Sequence, residues 1–120
     1  MEQNVSFLKD QLIWRPSIYG SDGSVSGTTE FFVSGSATET NRTIAAFLYS
    51  LEKQGADIPR TLSSELKSLR DSANHLSDVL RESRSPGQAA ENGARLKNTM
   101  LLLRLLESTI LIHETAARGP

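Results

Sequence analysis

The chain has no cysteine, so disulfide cross-links, thiolate nucleophiles and zinc-thiolate sites are excluded from the outset. Histidine is nearly as scarce. His75 and His113 are the two in the sequence, and neither has a second ligand at a usual helical spacing, so no metal site and no cofactor are expected. His113-Glu114 runs into Thr115-Ala116-Ala117 instead of a second histidine, and the zinc-protease helix motif fails there. Neither sign of charge prevails. With 13 basic and 14 acidic residues the formal net charge is -1, which gives no overall field for drawing in nucleic acid or anionic lipid.

Long hydrophobic runs are also missing. The longest, Met100 to Ile112, carries Arg104 and Glu107 and falls short of the roughly 20 residues a membrane span needs. Met1-Glu2-Gln3-Asn4 offers no basic stretch leading into an apolar one, so the expectation is a cytoplasmic protein without a secretory signal. Asn4-Val5-Ser6 and Asn41-Arg42-Thr43 match the glycosylation pattern, which means little in that setting.

What is present suits one folded domain. At 120 residues, with 38% hydrophobic and 22% charged, the chain falls near the modal domain size and can bury enough apolar surface to oppose the entropy of ordering it. The composition changes near Ala37. Residues 17–36 are rich in Ser, Gly and Thr, while beyond them apolar residues recur at helical spacing. The expected fold is therefore mainly α, an antiparallel helical bundle of three principal helices at about 37–54, 60–83 and 86–117, preceded by an N-terminal segment over 1–36 that packs at one end.

The helices are marked by their ends. Ser36-Ala37-Thr38-Glu39 fits a capping box and Gly55 a C-terminal stop, with Ile44, Phe47, Leu48 and Leu51 forming the apolar face between them. Leu62, Leu66, Leu69, Ala73, Leu76 and Leu80 alternate in steps of four and three and align in one seam. Lys67, Asp71, Asn74, Asp78 and Glu82 lie on the other side. Ser85-Pro86-Gly87-Gln88 places Ser at an N-cap and Pro at the first helical position. So little chain separates the last two helices that they should fold back as an antiparallel hairpin, with arms on the order of 35 to 45 Å.

The N-terminal segment supports two readings. Val5, Leu8 and Leu12 stand at helical spacing and Pro16 would end a helix at about Trp14. Alternatively, Leu12-Ile13-Trp14 and Ile18-Tyr19 form one strand and Thr29 to Val33 its partner, with Ser21-Asp22-Gly23-Ser24 as the turn. Residues 17–36 are then either a hairpin or a mobile loop.

No catalytic constellation emerges, and an enzyme is not expected. No serine stands in a Gly-x-Ser-x-Gly elbow, Ser34 reads as loop, and no phosphate-binding glycine motif occurs between Gly20 and Gly35. Asp78 and Glu82 are one turn apart on a solvated face, without an apolar wall to tune a general acid. Arg81, Arg84 and Arg95 are the one basic concentration, but Glu82 and Glu91 intervene and no aromatics are interleaved for base stacking.

The last helix has the one feature that asks for a partner. Lys97, Arg104, Ser108 and Thr115 form a narrow polar strip, and Leu101, Leu102, Leu103, Leu105, Leu106, Ile110 and Ile112 cover most of the remaining circumference. A helix this apolar must be covered on several sides. The expected function is a non-enzymatic interaction or assembly module, associating with itself or with another protein through those seven residues. The alternatives are a small regulator or inhibitor that binds a larger protein through 17–36, a nucleic-acid binder and an enzyme with an unconventional site.

Overall fold

The computed structural model describes residues 4–26, 29–33 and 35–118, with residues 117 and 118 described by their backbone alone. Five short strands precede three helices: β1 (Val5–Leu8), β2 (Gln11–Trp14), β3 (Ile18–Tyr19), β4 (Val25–Ser26), β5 (Phe31–Val33), α1 (Ala37–Lys53), α2 (Ile58–Arg81) and α3 (Pro86–Arg118). The class is mainly α, with a small antiparallel sheet at the N-terminal side.

No helix forms over Val5 to Trp14. Those residues make the β1–β2 hairpin, with Val5 opposite Trp14 and Leu8 opposite Gln11. The spacing of Val5, Leu8 and Leu12 suggested a helix, but Leu8 is 64% exposed while Val5, Leu12 and Trp14 are buried. Burial here follows the period of two that a pleated strand imposes. The reversal is made at Lys9-Asp10, where Lys9 holds a left-handed φ of 58°. In a side-chain-bearing residue this conformation has little intrinsic support, so tertiary contacts sustain it. Arg95 Nε donates to the Lys9 carbonyl at 2.6 Å, and Asn98 Nδ2 donates to the Asp10 carbonyl at 2.8 Å.

The strand pattern is realised in part. Leu12 pairs with Val33 and Trp14 with Phe31, giving the order β1-β2-β5. Ile18-Tyr19 does not continue β2, because Pro16 lies between them and cannot donate to a ladder. It pairs instead with Val25-Ser26 around Ser21-Asp22-Gly23-Ser24, so this part of 17–36 is a hairpin. Gly23 supplies the left-handed residue at φ 87°. Asp22 accepts from the Ser24 hydroxyl and backbone N–H, and these bonds hold its carboxyl below the ordinary range. Ser34 lies outside the described residues.

Each helix starts where its cap is. Ser36 accepts from the Glu39 N–H at 3.3 Å. Asp57 caps α2 by accepting from the Arg60 N–H at 3.2 Å, which with Pro59 in the first turn begins the helix at Ile58 instead of 60. Ser85 accepts from the Gln88 N–H at 3.1 Å. Gly55, at φ 63°, reverses the chain after α1.

α2 and α3 run antiparallel. Asn92 donates to Ser83 near the turn, and Arg70 pairs with Glu107 further along. Of the α2 seam, Leu62, Leu69, Ala73 and Leu76 are buried, and Leu66 and Leu80 are half-buried. The N-terminal segment is not an appendage at one end. Val5, Leu12, Trp14, Ile18 and Val33 share one core with Ile44, Phe47 and Leu51 of α1, Leu62 and Leu69 of α2, and Leu102, Leu103 and Leu106 of α3. Trp14 packs against Phe31 at 5.6 Å and Phe47 at 4.9 Å between ring centroids, separations at which aromatic pairs add to simple burial.

Candidate functional site

Three places on this scaffold gather features that packing alone does not require: the solvent face of α3, a cleft beside β1, and a buried polar node between the sheet and α2.

The seven apolar residues singled out on α3 divide into two sets. Leu102, Leu103 and Leu106 are buried in the chain's own core. Leu101, Leu105 and Ile110 are half-buried and Ile112 is 70% exposed. Leu111, not among the seven, is 65% exposed. At 100° per residue, Ile112 falls on the side of α3 away from Leu106, and Leu105 lies nearer the buried face. α3 thus turns Leu111 and Ile112 to water near its C-terminal end, one on either side of the polar strip of Lys97, Arg104, Ser108 and Thr115, while Leu105 and Ile110 pack against the core.

The cleft lies where α2 and α3 pass beneath β1. Its inner part, about 180 Å³, is lined by Val5, Phe7, His75, Leu76, Asn92 and Arg95 among others. An outer part of about 410 Å³ shares Val79, Asn92 and Arg95 with it and opens between Glu82, Gln88 and Glu91. Arg95 is committed here: it bonds the Lys9 carbonyl, pairs with Glu91 and stacks over Phe7 at 5.3 Å. Arg81 is paired with Asp78. Two of the three arginines that suggested a basic concentration are therefore neutralised within the chain.

The histidines stand apart. His75 lines the cleft, whereas His113 lines a small cavity of about 70 Å³ with Pro59, Leu62 and Ile110. Among the described residues, no three His, Asp or Glu side chains are placed to hold a metal ion, and no helix is long and apolar enough to cross a membrane.

The buried node was not visible to the sequence reading. Glu65 is 0% exposed and sits on α2 between Leu62, Leu66 and Leu69. Its Oε1 accepts from Trp14 Nε1 at 2.8 Å, and its Oε2 accepts from Asn4 Nδ2 at 2.6 Å and from the Ser17 N–H at 3.1 Å. One turn earlier Thr61 Oγ1 accepts from the Tyr19 N–H at 3.0 Å, and Ser64 Oγ donates to the Tyr19 hydroxyl at 3.3 Å. Burial pushes the Glu65 carboxyl above its ordinary value, against the pull of the three donors. The available signal was a carboxylate three residues after a seam leucine, on the side of the helix that turns inward.

No protein family matches this chain, and neither does any curated protein or any solved structure.

Proposed function

We propose that this chain is a non-enzymatic assembly module that associates with a second copy of itself through the solvent face of α3. The observation that carries the reading is the exposed apolar pair near the end of α3, Leu111 at 65% and Ile112 at 70%. Two large aliphatic residues exposed at the end of one helix are an unfavourable surface to leave in water, and pairing with a second copy covers both.

The structure moves the mutations that test this. Leu103→Glu or Leu106→Glu would place a charge in the core and unfold the chain, whereas Leu111→Glu with Ile112→Glu changes exposed positions. Light scattering across a wide concentration range should find a dimer or larger species for the natural chain and a monomer of unchanged helicity for the double variant. A natural chain that stays monomeric into the millimolar range would overturn the reading.

A second reading, a small regulator that binds a larger protein through its N-terminal part, draws on Val25 and Phe32, each 57% exposed. Under that reading the β3–β4 hairpin becomes protected from proteolysis when the target is added.

A further inference from the structure

The Glu65 node contains a carboxylate with three donors and, among the described residues, no cation. An ionised carboxylate is acceptor-only, so the three bonds fit its charged form. Removing a charge from water without a counter-ion favours the neutral form. The two influences oppose each other, and burial is the larger.

We propose that Glu65 and Asn4 form a two-state proton switch at the junction of the sheet with α2. In one state the ionised carboxylate is held by the Asn4 amide N–H, and in the other the neutral acid donates to the same amide turned over.

The reason lies in what surrounds Oε2. A proton arriving there needs an acceptor, and the Trp14 indole and the Ser17 backbone offer only N–H groups. Asn4 differs from both. Its amide carries a donor and an acceptor at nearly equivalent positions, and a half-turn about its last side-chain bond exchanges them. In the neutral state Oε2–H donates to Asn4 Oδ1, the Ser17 N–H keeps the remaining lone pair of Oε2, and Trp14 keeps Oε1. The Trp14 and Ser17 donors retain a partner in both states. Asn4 is half-buried, so the node meets water at that residue and the proton exchanges with solvent there. From β2 the node is faced by Trp14, from the segment after it by Ser17, from the start of β1 by Asn4, and on α2 the preceding turn carries Thr61. None of these is charged, and among the described residues no charged side chain contributes to the state of this carboxyl.

The chain supplies its own reporter, because Trp14 is its one tryptophan. Proton–nitrogen correlation spectra of the full chain, recorded between pH 3 and 8 with circular dichroism in parallel, follow the indole N–H directly. The expected result is one inflection in that signal at a pH above the ordinary glutamate value of 4.5, shared by the Asn4 amide protons and lost in Glu65→Gln, with helicity unchanged. An indole signal that stays flat while the chain is folded would overturn the proposal, as would an inflection that survives in Glu65→Gln. Should that variant fail to fold, carbon-13 labelling of the glutamate carboxyls decides on the natural chain. A Glu65 midpoint above the ordinary value with coincident Asn4 movement supports the switch, and a midpoint at or below it, or a stationary Asn4, removes it.

Discussion

The Trp14 indole N–H donates to the Glu65 carboxylate at 2.8 Å across a separation of 51 residues, joining the middle strand of the sheet to α2 inside the core. Neither group could be buried without the other at small cost. An indole N–H in an apolar core needs an acceptor, and an unpaired buried carboxylate needs donors.

Trp14→Phe should separate the packing of this residue from its hydrogen bond. The ring contacts with Phe31 and Phe47 can be kept in part, while Glu65 loses one of three donors. The expected loss is on the order of 2 to 4 kcal/mol, combining reduced burial with an under-satisfied carboxylate. Urea unfolding followed by circular dichroism measures it, and a loss below about 0.5 kcal/mol would mean that the carboxylate does not depend on the indole.

Stability should depend on pH through the same carboxyl. With its folded-state value raised above the ordinary 4.5, the folded chain binds more protons than the unfolded chain between those two values. The contribution is therefore fully present below 4.5 and is lost as pH rises through the folded value. Unfolding free energies of the natural chain should fall across that window relative to those of Glu65→Gln, from which this slope is absent. Parallel curves would show that Glu65 titrates alike in both states.

Lys9→Gly should stabilise the protein by about 1 kcal/mol, since glycine adopts a left-handed φ without the steric cost that lysine bears at 58°. Arg95 bonds the backbone carbonyl of this residue, so the substitution leaves that contact in place. A thermal midpoint raised by a few degrees is the expected result, and a lowered one would show that the Lys9 side chain carries a contact of its own.

Core and surface positions of α3 should respond in opposite ways. Leu106→Ala opens a cavity in the core and should cost about 2 to 5 kcal/mol without altering any surface contact. Ile112→Ala should change the stability of the monomer by less than about 0.5 kcal/mol and weaken association. Unfolding titrations and light scattering on both variants test the division. An equal effect of the two on folding would mean that Ile112 does not lie on a separate surface.

The α3 outcome shows how much the sequence could say. Its apolar residues surround most of the circumference, and that much was legible. Which leucines the chain itself covers was not, because that depends on where the sheet, α1 and α2 come to rest. The segment 5–14 is the converse case. Its residues fit a helical and an alternating pattern about equally, and what settled the matter was Val33 and Phe31, some twenty residues away, pairing with β2. A local reading has no access to that pairing.

By itself, then, the sequence determined the three helices: their caps at Ser36 and Ser85, the stop at Gly55 and the α2 seam are local or periodic, and local geometry suffices to realise them. The tertiary structure alone decided that the N-terminal segment is a sheet, that Leu102, Leu103 and Leu106 face inward while Leu111 and Ile112 face water, and that Glu65 is buried among donors. The physical reason is the same in each case. A side chain's burial and its hydrogen-bond partners are set by residues far along the chain, and neither is encoded in the spacing of its neighbours.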